Sequence, residues 1–237
     1  MDVYIDQRVK KIYLPDKGYA YIAINHIPPN TIIIKETPIT IKDENIISDI
    51  FQLLYTIFNS SNEIINKFKK LLPRTLDHYQ VNKNKITEEL NKIKLNNSML
   101  YNFFLDNFTL NEIYLYCAKY SCNAFDYQGK PAILFNATIL NHSCLPNVIF
   151  GKENNQICFI TIRDIKKGEE IYDNYIDITL TRTERQRQLK EQYGFVCHCV
   201  RCVEYNSTQN VKYDQEVIEI EHTRQRIFNH SKSKLIF

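Results

Sequence analysis

Three cysteines stand close together late in the chain, Cys197, Cys199 and Cys202, in a C-x-C-x-x-C pattern. Reduced thiols at this spacing are metal-ligand chemistry. Structural zinc takes four ligands in a tetrahedron, with sulfur about 2.3 Å from the metal. Three local thiolates leave one ligand to come from elsewhere. His198 competes for that place, but it lies between two ligands, where its ring should point away, so it reads as a spacer. The plainer alternative is three reduced cysteines with no metal. Cys117, Cys122 and Cys158 read most simply as buried apolar residues.

Other stretches carry polar and aromatic groups suited to binding or catalysis. Asn141-His142-Ser143-Cys144-Leu145-Pro146-Asn147 sets an amide, an imidazole and a thiol side by side. An Asn-His pair taken alone is more often a turn or a satisfied polar pair. Gly168-Glu169-Glu170-Ile171-Tyr172-Asp173-Asn174-Tyr175-Ile176-Asp177 follows, and Tyr193-Gly194-Phe195 leads into the cysteine cluster. Earlier, Lys17-Gly18-Tyr19-Ala20 offers a glycine turn before a strand, and Ser121-Cys122-Asn123-Ala124-Phe125 an Asn at a helix end.

These groups need a scaffold, and the 237 residues are ample for a core. Composition is globular, with 44% hydrophobic and 24% charged residues. A net charge of +3 predicts no direct nucleic-acid binding; the Lys67, Lys69, Lys70, Arg74 run reads as a solvated helix face. The first fourteen residues are broken by charges, so no secretory signal is expected, and no apolar run is long enough to span a bilayer. The expectation is an intracellular protein, nuclear or cytoplasmic, whose odd count of seven cysteines suits reduced thiols.

Ala20–Ile24 and Thr31–Glu36 read as strands around a Pro28-Pro29-Asn30 turn, a hairpin or near-hairpin. Helical spacing then takes over, from Glu44 to Phe58, through Ile64 to Leu72 with a stop at Pro73, and from Ile86 to Phe104. Thr109 to Glu112 is a capping-box pattern opening a fourth helix. Strand patterns return at Val148–Phe150, Gln156–Arg163 and Glu169–Tyr172. A second capping box, Thr181 to Glu184, opens a helix to Tyr193 with Gly194 beyond its end. One tail helix carries Val217, Ile218, Ile220, Ile227 and Phe228. Strands, helices and strands again make an α+β order.

Taken together, in this order, the motifs resemble the signature of SET-domain protein methyltransferases, the SMYD-like subgroup in particular. That resemblance implies a SET-domain β fold over residues 1–203, with a helical insert at about 41–120 and a post-SET zinc segment at about 181–203. A helical tail would occupy 204–237. It implies methyl transfer from S-adenosylmethionine to a protein or peptide substrate, usually on lysine. Cys144 would be the fourth ligand of one structural zinc, with Cys197, Cys199 and Cys202. Cofactor contacts would come from Lys17, Gly18, Tyr19, Asn123, Asn141, His142, Tyr175 and Phe195. Tyr175 would be catalytic, and Tyr193 would help form the lysine channel. Ala20 stands where the family has a second glycine. The cysteines of a MYND module are missing between Pro38 and Cys117, and only 35 residues follow Cys202, too few for the large C-terminal helical domain. Two alternatives stay open: transfer to another side chain such as histidine, and an inactive SET domain that binds protein.

Overall fold

The computed structural model describes residues 2–41, 47–77, 81–204 and 207–233, with side chains of the last helix described from 211 to 227. Strands β1 (Val3–Ile5), β2 (Val9–Leu14), β3 (Gly18–Ala23), β4 (Ile32–Glu36) and β5 (Ile39–Thr40) open the chain. Helices α1 (Asp49–Phe58), α2 (Asn62–Lys69), α3 (Lys83–Asn96), α4 (Ser98–Asn107) and α5 (Leu110–Asn123) follow. Strands β6 (Ala124–Tyr127), β7 (Lys130–Ile133), β8 (Asn141–His142), β9 (Val148–Glu153), β10 (Gln156–Thr161) and β11 (Tyr172–Asp173) come next. The chain closes with α6 (Arg182–Gln188), a π-helical turn Leu189–Tyr193, α7 (Val200–Val203) and α8 (Ser207–Ser233). The mixture is α+β, as the sequence pattern implied. Among the described residues no helix is long and apolar enough to cross a membrane.

Two compact units divide the chain: Met1–Thr37 with Asn136–Lys190 and Phe195–Phe237, and Pro38–Phe135 with Glu191–Gly194. The first unit is built on an antiparallel sheet in the order β1-β4-β10-β9. Its middle is fully buried at Ile33, Ile34 and Phe159, because the β-branched run of β4 faces the apolar run of β10. The expected hairpin between β3 and β4 is not formed: β3 pairs with β2, and β4 with β1 and β10. Asn30 does turn, at φ 59°, and its N–H donates to Thr161 O. That bond and the Ile27–Ile165 bridge steer the chain to the distant β10 rather than back on β3. β8 and β11 form a short parallel pair, Tyr172 opposite Asn141 and Asp173 opposite His142. Helix α8 lies on β9, its Val217 and Ile220 buried with Ile149 and Ile178. A side chain at Gly151 would meet Ile227 at 3.0 Å, so the glycine permits that close approach. Ile218, expected on the apolar face, is 48% exposed, and the Phe228 side chain lies outside the described residues.

The second unit buries Phe51, Leu54, Phe68, Ile93 and Phe104 among α1 to α5, beside the small sheet β5-β7-β6. Glu44 and Ile46, expected to begin the first helix, lie outside the described residues. The single helix expected from Ile86 to Phe104 is two. Asn97 leaves helical geometry at φ −152°, and its side chain accepts from Leu100 N–H to cap α4. The Thr109–Glu112 box is complete, with both side chains bonded to main-chain N–H groups. At α6 only half of the second box forms. Thr181 accepts from Glu184 N–H, while the Glu184 carboxylate goes to Arg187 and Gln188.

Candidate active site and metal centre

The thiols of Cys144, Cys197, Cys199 and Cys202 lie within 4.8 Å of one another. A tetrahedron with zinc–sulfur bonds near 2.3 Å has edges of about 3.8 Å. The Cys144–Cys202 and Cys144–Cys197 sulfur separations are 3.6 and 4.0 Å, so the four fit one zinc ion. His198 is exposed and stands outside the sulfur cluster. Helix α6 holds the segment in place: the Gln186 side chain accepts from Cys197 N–H at 2.9 Å and donates to Cys197 O at 2.7 Å.

Arg185, 2% exposed, sits against the cluster. Its Nε donates to Cys144 Sγ at 3.2 Å, its Nη1 to Leu180 O at 2.5 Å, and its Nη2 reaches Cys202 Sγ at 4.0 Å. No carboxylate pairs with it among the described residues. A buried guanidinium needs an anion, and a four-thiolate metal centre, with net charge −2, supplies one. Hydrogen bonds among the thiols, that with Cys144 first, hold Cys199 well below the ordinary thiol range.

Beside this centre lies a cavity of about 700 Å³. Its walls include Lys17, Asn141, His142, Tyr172, Tyr175 and Phe195, together with Cys197 and Cys199. A larger cavity, about 1120 Å³, runs along α8 and shares Leu145, Arg163 and Val200 with it. None of the sequence-selected site residues lines the larger space. Convergent polar groups mark the smaller one as the candidate site.

Lys17, Asn141 and Tyr172 of the lining share a hydrogen-bonded network centred on Glu170, which is not itself in the wall. Its carboxylate accepts from Asn141 Nδ2 at 2.8 Å, Tyr172 OH at 2.6 Å and Lys17 Nζ at 3.0 Å. Burial alone would lower the Lys17 ammonium, but its bonds to Tyr172 and Glu170 outweigh that and hold it above the ordinary range. Asn141 Nδ2 also donates to Tyr19 O at 3.3 Å. Asn147, fully buried, accepts from Tyr172 N–H through Oδ1 and donates to Glu170 O, which pins the strand carrying the network.

A second group in the lining is aromatic. His142, Tyr175 and Phe195 have ring centroids 5.4 to 6.4 Å apart. Tyr175 OH donates to Leu140 O at 2.6 Å. A phenol whose proton is so committed presents its oxygen as an acceptor. Burial pushes the His142 imidazole down to about 4, so the ring is neutral at neutral pH.

Gly18 and Tyr19 are not in the cavity wall. Gly18 turns the chain at φ +82° with open space where a side chain would be, so conformation and not close approach selects glycine. Tyr19 takes part through its carbonyl, while its ring, 53% exposed, stacks edge-on to Tyr13 under the Lys11 ammonium. Ala20 lies in the regular β2–β3 ladder opposite Ile12 and needs no glycine. Asn123 and Tyr193 belong to the second unit. There Asn123 donates to Leu72 O at 2.6 Å and Lys119 O at 2.7 Å, while the buried Lys119 ammonium donates to Leu71 O and Pro73 O.

Asp173 was not anticipated. It is 3% exposed, its Oδ1 has no hydrogen-bond partner, and burial pushes its carboxyl up to about 7. Glu170, Tyr172 and Arg185 were also missed as site residues. Glu170 and Tyr172 lie inside a motif already singled out, which is the signal that could have found them.

The SET domain family model matches residues 18–176. The chain belongs to the SET-domain family. SET domain-containing protein L678 of Acanthamoeba polyphaga mimivirus is 44% identical over 203 residues, 84% of this chain and 78% of that protein. Histone-lysine N-methyltransferase set5 of Schizosaccharomyces pombe is 27% identical over 204 residues, 85% of this chain and 52% of that protein. Among solved structures, the SET domain of LSMT bound to lysine and AdoHcy superposes with a TM-score of 0.59 at 17% identity, over 81% of this chain and 53% of that one. This SET-domain chain therefore spans about half the length of set5 and of LSMT, and most of L678.

Proposed function

We propose that this chain is an S-adenosylmethionine-dependent protein-lysine N-methyltransferase with one structural zinc ion. The observation that carries the reading is the cavity of about 700 Å³ where Lys17, Asn141, His142, Tyr175 and Phe195 converge, walled on one side by two of the four clustered cysteines. The names of set5, a histone-lysine methyltransferase, and of the lysine-bound LSMT structure support it. On this reading residues 1–203 are a SET domain with a helical insert at about 41–120 and a post-SET segment at about 181–203, and 204–237 form a helical tail. A cluster of reduced thiols favours an intracellular compartment, nuclear or cytoplasmic.

S-adenosylmethionine, when bound, supplies a methyl carbon activated by a sulfonium. Lys17 offers a donor and Asn141 its amide oxygen to the polar ends of the cofactor, both Asn141 N–H groups being committed to Glu170 and Tyr19, and His142 and Phe195 offer an apolar surface to its flat base. Tyr175 then aligns the attacking amine. Its proton is held by Leu140 O, so its oxygen accepts from the amine N–H and orients the nitrogen lone pair for in-line displacement. An acceptor of this kind does not favour the neutral amine over the ammonium, so a lysine with reference pKa near 10.4 reacts faster as pH rises.

Calorimetry of the full chain with S-adenosylmethionine, then a screen with labelled cofactor against histones and a cell extract, tests the reading. Binding and methyl-lysine in the product are expected. Absence of cofactor binding would favour an inactive SET domain that binds protein. A methyl group found on histidine would keep the scaffold and discard the lysine assignment.

A further inference from the structure

We propose that His142 is a positioning residue that joins the metal centre to Tyr175, so that order in the zinc site sets the placement of the catalytic tyrosine. The inference rests on the proposed zinc and methyl-transfer reading and extends it to a contact chain through one ring.

The tautomer follows from the partners. Tyr175 N–H lies 3.0 Å from His142 Nδ1. A main-chain amide can only donate, so Nδ1 accepts and carries no proton. In the neutral imidazole the proton is then on Nε2, and Nε2 lies 3.4 Å from Cys144 Sγ. That is hydrogen-bonding distance to sulfur. Cys144 Sγ also receives Arg185 Nε at 3.2 Å, so two N–H donors converge on one sulfur, an arrangement suited to a metal-bound thiolate.

Both ring nitrogens are thereby committed, one to the metal ligand and one to the main chain of Tyr175. Tyr175 is held a second time by its hydroxyl on Leu140 O. The ring is 8% exposed and has little room to rotate away. A shift of Cys144 on metal loss would leave Nε2–H without its acceptor in a buried place. The ring would have to tilt or exchange tautomers, and either change would release the Tyr175 amide. Hydrogen bonds around a metal ligand commonly fix orientation in this way. Zinc here would do more than fasten the segment after Gly194; it would set the geometry at the reacting centre.

The test is nitrogen-15 and proton magnetic resonance of the histidine-labelled full chain, with zinc replaced by cadmium-113. The Nε2–H tautomer is expected for His142, with a splitting of its ring proton by the cadmium nucleus through the N–H···S contact. Kinetics of two variants give a second readout. His142→Asn keeps a carbonyl acceptor near Nδ1, and His142→Ala keeps neither contact. The Asn variant should retain about fivefold to tenfold more kcat than the Ala variant, the scale of one hydrogen bond. Wild-type protein that binds no zinc or cadmium would overturn the zinc reading itself. Metal binding with the Nδ1–H tautomer, or with no coupling to cadmium, would overturn the inference alone, as would equal kcat in the two variants.

Discussion

Asp173→Asn should make the stability of the protein less sensitive to a rise in pH from acid to neutral, and the buried carboxyl sets the scale of the effect. The Asp173 carboxyl is fully enclosed, Oδ1 lacks a hydrogen-bond partner, and its opposing influences are the Asn174 amide and the Arg224 guanidinium. Arg224 is partly occupied elsewhere, its Nη2 on Asn174 Oδ1 at 2.7 Å and its Nε on Glu221 at 3.3 Å. Burial wins, and the folded carboxyl titrates near 7 against 3.8 unfolded. Because the folded value is raised, ionisation is penalised in the folded state. This contribution to stability is greatest below about 3.8, falls as pH rises to about 7, and is flat beyond.

Raising the carboxyl from 3.8 to about 7 is worth at most about 4 kcal/mol, against a domain stability of about 5–15 kcal/mol. Between pH 5.5 and 8.5 about half of the fall, roughly 2 kcal/mol, should occur. Asparagine matches the neutral carboxyl in size and does not ionise, so its variant should lack that share. Urea unfolding at the two pH values, wild type beside variant, isolates the difference. Titrations of thiols and other carboxylates are common to both proteins and cancel. Equal pH dependence in the two proteins would show that Asp173 ionises as easily folded as unfolded, and the desolvation argument would be wrong.

Tyr175→Phe should cut kcat by about 10²-fold with little change in cofactor affinity by calorimetry; it should also cost about 1–2 kcal/mol of stability, since Leu140 O loses its donor. Unchanged turnover on any accepted substrate would remove Tyr175 from the chemistry. Glu170→Gln releases Lys17 and weakens the hold on Asn141, so the cofactor KM should rise about tenfold with kcat nearly kept; a kcat loss alone would place Glu170 elsewhere in the cycle. Arg185→Met removes the cation beside the thiolates and should weaken zinc about 10–100-fold in competition with a chelator; an unchanged metal affinity would mean that the guanidinium serves only Leu180 O.

What the sequence disclosed follows the range of each interaction. Cys197, Cys199 and Cys202 were legible from their spacing, Cys144 only through the family resemblance, and the helices of the second unit because their apolar spacing is local. The break at Asn97 was missed: apolar spacing runs on through it, and only the cap geometry of one side chain marks the boundary. The partners of β3 and β4 were missed because strand pairing is long-range; β4 meets β10 across more than a hundred residues. β1 and β2 were not recognised, being short or strongly charged. Asp173 and Arg185 escaped for a third reason. Nothing in residue type says that a charge will be buried until the neighbours that bury it are known.

The tight spacing of the stretch from Asn141 to Asn147 follows from its contacts. In a strand, successive side chains face opposite ways. Asn141 turns to Glu170, and His142, one residue on, turns to Tyr175. Cys144 must lie within reach of the His142 ring and also of three cysteines more than fifty residues away, which leaves a single residue, Ser143, between them. Ser143 closes the bend, its hydroxyl exchanging bonds with Leu145 N–H and O. Asn147 then returns to Tyr172 and Glu170, bracing the strand that carries the tyrosine. The cavity wall, Tyr175 and the cysteine cluster are thus joined by one stretch of seven residues. A residue inserted between His142 and Cys144 should leave each side chain present and separate the cysteine cluster from Tyr175.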